Sequence, residues 1–84
     1  MTQSQPAGLQ QSIRQAERAA GMPIVIKEVR VPDTAFRGRV TKKAGFLLLE
    51  YQVAQPGYFW HIPIIEELLR RIQAGESDAE IREP

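Results

Sequence analysis

Apolar residues recur first at helical and then at strand spacing along the chain. Leu9, Ile13, Ala16 and Ala20 lie at i, i+4, i+7 and i+11, which predicts one stripe of a helix starting at Gly8. Gly21 follows the last of them and Pro23 prevents continuation, a helix stop. Residues 24–31, Ile-Val-Ile-Lys-Glu-Val-Arg-Val, are rich in β-branched side chains and predict a strand. Pro32-Asp33-Thr34 is a turn signal, because proline presets φ and aspartate can close an Asx-turn. Residues 35–42 predict a second, weaker strand, Lys43-Ala44-Gly45 a turn, and residues 46–53 a third and stronger strand. Gln55-Pro56-Gly57 ends it. A second helix is expected from about Pro63 to Ala74, with Ile65, Leu68, Leu69 and Ile72 on one face and Gly75 beyond its end. Glu66 and Glu67 precede Arg70 and Arg71 at i, i+4, the orientation that suits both the ion pairs and the helix dipole.

The order is α-β-β-β-α. The expected fold is therefore an α+β sandwich: a three-stranded antiparallel meander with both helices on one face. Residues 1–7 are expected to be disordered, residues 8–75 to form the single domain, and residues 76–84 to be an acidic tail. Within that tail Ser77-Asp78-Ala79-Glu80 is a capping-box pattern that predicts one short helical turn.

Hairpin register then sorts the strand residues into two faces. A tight turn around Lys43-Ala44 pairs Thr41 with Phe46 and Arg37 with Glu50. A hairpin at Pro32-Asp33 places the odd residues of the first strand beside the even residues of the second. The core face is then Val25, Lys27, Val29, Val31, Phe36, Gly38, Val40, Leu47, Leu49, Tyr51 and Val53. The opposite face gathers Ile24, Ile26, Phe46 and Leu48 at one end and charged residues at the other. An apolar cluster bordered by charge is a candidate partner-binding site, the alternative being that a terminal segment of the same chain covers it.

Composition narrows the possible functions. The chain has 84 residues, 43% hydrophobic and 25% charged, with a net charge of +1. It lacks cysteine and has one histidine, His61, which removes disulfide scaffolds, thiolate metal sites and cysteine nucleophiles. No apolar run reaches the roughly 18 residues that span a bilayer. The opening Met1-Thr2-Gln3-Ser4-Gln5-Pro6 lacks the basic and apolar regions of a secretory signal, so a cytoplasmic location is expected. Charge is unevenly placed. Residues 27–43 contain Lys27, Arg30, Arg37, Arg39, Lys42 and Lys43 against Glu28 and Asp33, whereas residues 50–84 are net acidic. Arg37, Arg39, Lys42 and Lys43 form the candidate nucleic-acid-binding set. The aromatic stretch Tyr58-Phe59-Trp60-His61 could stack bases, but it reads first as packing for the strand-to-helix connection. His61 has no partner in a triad-like pattern, Glu66 and Glu67 are splayed as neighbours on a helix, and no glycine-rich phosphate loop occurs. No enzyme, cofactor or metal site is expected.

The α-β-β-β-α order is similar to that of double-stranded-RNA-binding domains. That family grips phosphate with lysines at the start of its last helix, where this chain has Trp60-His61-Ile62-Pro63-Ile64. Ile62-Pro63, Glu67-Leu68-Leu69 and Ala74 to Ile81 resemble the helix-turn-helix stretch of small bacterial antitoxins, over about 20 residues. Neither likeness assigns a family. The expected function is a small non-enzymatic binding or regulatory module that acts through protein–protein interaction. Its expected mode is homodimer formation through Ile24, Ile26, Phe46 and Leu48, the alternative being a nucleic-acid-binding regulator.

Overall fold

The computed structural model describes residues 7–53 and 61–83. Their order is α1 (Ala7–Ala20), β1 (Ile24–Val29), β2 (Phe36–Lys43), β3 (Phe46–Gln52), α2 (His61–Gln73) and β4 (Ala79–Arg82). The fold is α+β, as expected. Both helices lie against the same side of the sheet: Leu9 and Ala16 of α1 join Ile65, Leu68, Leu69 and Ile72 of α2 in one core with Val40, Leu47 and Leu49. Residues 1–6 and the stretch Tyr58-Phe59-Trp60, with the expectations placed on them, lie outside the described residues. α1 itself includes Ala7, which the sequence placed in the disordered segment.

The sheet is not the expected meander. Its order is β1-β3-β2-β4, so β3 lies between the two strands that precede it in the chain. β2 and β3 form the expected hairpin, with Lys43 opposite Phe46 across Ala44-Gly45, and Gly45 supplies the positive φ of 86° that the turn needs. This register is two residues away from the expected one. The faces of β2 and β3 stay as predicted, and Arg39, not Arg37, stands opposite Glu50. β1 runs parallel to β3, with Ile24 opposite Leu47 and Ile26 opposite Leu49. The stretch from Val29 to Phe36 therefore passes the end of β3 instead of turning tightly back.

Gln52 holds that passage. Its side-chain amide accepts from the Val31 N–H and donates to the Val31 carbonyl, both at 2.8 Å. Val53 N–H donates to the Val29 carbonyl at 2.9 Å just before it. One side chain thus serves as the next rung of the ladder after the strand has ended, satisfying both backbone groups of Val31.

Residues 79–82 form β4, antiparallel to β2, and not the expected helical turn. The capping-box signal is local, whereas the outer edge of β2 offers a row of backbone partners and a place for Ala79 and Ile81 against α2 and the core. The tertiary ladder prevails. A β-bulge at Phe36/Gly38 separates the register there. Phe36 is buried outside the main core cluster, with the Arg39 guanidinium 5.2 Å from its ring centroid.

Gly38 sets how closely α2 approaches. A Cβ at this position would lie 2.9 Å from Ile64 Cγ2, 3.0 Å from Leu68 Cδ1 and 3.1 Å from the Glu50 carbonyl oxygen. Gly38→Ala should destabilise the protein by roughly 1–3 kcal/mol through overpacking. Leu49→Ala, at a fully buried site, should cost roughly 2–5 kcal/mol. Val25→Ala, on the other side of the sheet, should stay within about 0.5 kcal/mol. Urea midpoints of the three variants check the side on which the core lies; a Val25→Ala effect equal to that of Leu49→Ala contradicts it.

Candidate interaction surface

The face of the sheet away from the helices is built in rows. Register places Lys27, Glu50, Arg39 and Glu80 side by side across β1, β3, β2 and β4, a row of alternating sign. Arg39 Nε donates to Glu50 Oε1 at 2.7 Å, the closest pair within it. The neighbouring row is Val25, Leu48 and Thr41, and beyond it lie Phe46 and Lys43 at the hairpin end. Val25 is 46% exposed, the one large hydrophobic residue so exposed among the described residues. Leu48 and Phe46 are half-buried.

The structure therefore divides the four residues expected to form a partner site. Phe46 and Leu48 lie on the open face. Ile24 and Ile26 lie on the helix side, Ile24 buried and Ile26 packed against the core. The parallel register is the reason: it aligns Ile24 with Leu47 and Ile26 with Leu49, and the core side of β3 dictates that of β1. Val25, assigned by the hairpin argument to the core, takes their place outside. Alternation alone could not have found it, since Ile24, Ile26 and Glu28 form as plausible a buried set as Val25, Lys27 and Val29.

The four candidate phosphate-binding residues do not converge. Arg37 Nη1 donates to the Thr34 and Phe36 carbonyls at 2.8 and 3.0 Å, and its Nε is 3.9 Å from Glu83. Arg39 is committed to Glu50. Lys42 stands opposite Leu47 on the helix side, where it lines a shallow cleft of about 200 Å³ with Met22, Ile72 and Glu76. Lys43 belongs to the other face. His61 begins α2, and its side chain lies outside the described residues. Among the described residues no three histidine or carboxylate side chains gather as a metal site, and no helix is long and apolar enough to cross a membrane.

The sheet has two outer edges. At β1 the ladder bonds fix which backbone groups point outward. Leu47 N–H donates to the Pro23 carbonyl and Val53 N–H to the Val29 carbonyl, both at 2.9 Å. Odd residues of β1 thus turn their backbone groups toward β3, and Ile24, Ile26 and Glu28 turn theirs outward. The Ile24 N–H is already capped by Glu17 Oε2 at 2.8 Å. At the other edge β4 is held by ion pairs as well as by its ladder. Arg82 bonds both Asp33 and Glu80, which joins the end of the chain to the β1–β2 connection. No protein-family model, curated protein or solved structure matches this chain.

Asp33 accepts from Arg82 and from the Ala35 N–H, which holds its carboxyl below the ordinary value of 3.8. Its contribution to stability is therefore present above that value and lost as the pH falls through the lower folded-state value. Glu67 is lowered in the same way by Arg70 and then Arg71 on α2. Unfolding midpoints between pH 7 and 2 should fall below about pH 4. Asp33→Asn should flatten part of that fall, leaving the part due to Glu67. An identical acid slope in the variant contradicts the assignment.

Proposed function

We propose that the protein is a small, non-enzymatic binding module that acts through protein–protein interaction, with the end of the open sheet face as its docking surface. The observation that carries this reading is the exposure of Val25 beside Leu48 and Phe46 on a face that neither helix covers. The neighbouring row supplies what surrounds an interface core: Lys27, Glu50, Arg39 and Glu80 form a polar rim, within which Arg39 and Glu50 are already paired. A chain without cysteine folds without an oxidising compartment, which suits a cytoplasmic setting.

The patch is narrower than the one expected from the sequence. Three side chains fall short of the roughly 1,200 Å² that stable face-to-face dimers bury. They fit a protruding apolar side chain or short apolar segment of a partner, each fully buried group contributing roughly 1.5–3 kcal/mol. The nucleic-acid reading is the weaker one, because Arg39 is engaged by Glu50 and Lys42 and Lys43 belong to opposite faces.

A photo-crosslinking residue at Val25 should yield one discrete protein adduct in the native cells, whereas the same residue at the exposed Gln73 of α2 should yield none. Adding Leu48→Glu should abolish the Val25 adduct while the circular dichroism spectrum stays that of wild type. Adducts of equal yield at positions 25 and 73, or a Val25 adduct indifferent to Leu48→Glu, contradict the reading.

A further inference from the structure

We infer that two copies of this chain pair antiparallel along the outer edge of β1, about a two-fold axis through Ile26, to give one continuous eight-stranded sheet. This goes beyond the docking proposal, because it uses the edge of the sheet and leaves Leu48 and Phe46 of the open face free. No other strand lies against this edge among the described residues. The outward backbone groups belong to even-numbered residues, so even residues must face even residues across the axis. That parity also keeps the helices of both copies on the same side.

Three such registers are available near the middle of the strand, and the side chains choose among them. An axis at Lys27 sets Lys27 against itself, a like-charge pair directly opposite. An axis at Val25 sets Ile24 opposite Ile26, and with the Ile24 N–H held by Glu17 it keeps only about two bonds within the strand. The axis at Ile26 avoids the like-charge pair; it also turns the Glu28 carbonyl toward the Ile24 N–H that Glu17 holds, but it keeps more of its bonds without that group. It joins each Ile26 to the other by both backbone groups, and each Glu28 N–H to the Ile24 carbonyl of the second copy, about four bonds in all. The Ile24 N–H is not required.

The side chains then complement one another. On the open face Lys27 of one copy stands beside Val25 of the other, its ammonium in water, so that no like charges meet across the axis. On the helix side the two Ile26 side chains meet. Arg30, exposed and in no ion pair among the described residues, comes opposite Met22 on the α1 side, beside the Glu17 carboxylate of the second copy. A bare edge of this kind is what folded proteins otherwise cover or twist away.

The contact is small, so association should be in the roughly micromolar-to-millimolar range. Amide exchange by NMR and sedimentation equilibrium, both from about 10 µM to 1 mM, test it on the whole chain. The mass should rise toward that of a dimer. The Ile26 and Glu28 amides should exchange several-fold more slowly in the concentrated sample, while Val25 and Lys27, bonded to β3, should not change. Glu28→Pro removes an outward N–H where proline is tolerated; it should keep the wild-type spectrum and remain monomeric. Leu48→Glu should dimerise like wild type, even if it loses its photo-crosslinked partner, so failure of the docking surface and failure of the edge are told apart. A wild type monomeric at 1 mM overturns the proposal. So does a dimer whose Ile26 and Glu28 amides ignore concentration, or one that Leu48→Glu abolishes. Should Glu28→Pro unfold, the wild-type amides decide alone.

Discussion

The parallel pairing of β1 with β3 is the constraint on which the other features depend. Had Ile24–Val29 formed a hairpin with β2, Val25 and Val29 would face the helices and Ile24 and Ile26 would face water. Because β1 aligns with β3, Leu47 and Leu49 decide the matter for their neighbours. Ile24 is buried, Ile26 packs against the core, and the smaller Val25 is left outside. The arrangement obliges the β1–β2 connection to cross the end of β3. Gln52 makes this possible by offering an amide, both donor and acceptor, where the ladder has run out. A side chain that could only accept or only donate would leave one backbone group of Val31 without its partner.

The same constraint shapes the open face. With the large aliphatic residues of β1 turned inward, charges in register dominate what remains outside. Lys27, Glu50, Arg39 and Glu80 alternate in sign across all four strands, and such pairs contribute modestly at a solvated surface. The row borders the short apolar row of Val25, Leu48 and Thr41.

Much of the secondary structure was legible in the sequence, and the reason is local. The 3.6-residue stripe of Ile65, Leu68, Leu69 and Ile72, the cap at Gly75 and the β-branched run from Ile24 each carry their own signal. Gly45 marks the hairpin turn, although the exact register needed the two-residue loop to be known. What could not be read depends on non-local pairing. Both alternating sets of β1 contain apolar residues and one charged residue in the strand, so either could be buried. Pro32-Asp33 reads equally as a hairpin turn and as part of a longer passage. The Ser77-to-Glu80 capping box competes with the chance to complete a sheet edge, and only the position of β2 shows why Ala79 and Ile81 settle as a strand. For that reason the four residues expected to form a partner site are divided between the two sides of the sheet: Phe46 and Leu48 lie outside with Val25, and Ile24 and Ile26 lie on the helix side.

The most direct test of this account is the strand pairing itself, measured through backbone proton contacts by NMR in isotopically labelled protein. Cross-strand contacts in a parallel pattern should connect β1 to β3, with Ile26 beside Leu49 and Lys27 beside Glu50. Contacts should also join the Gln52 side-chain amide to Val31. Antiparallel contacts between β1 and β2, with none between β1 and β3, would contradict the topology and with it the open face and free edge derived from it.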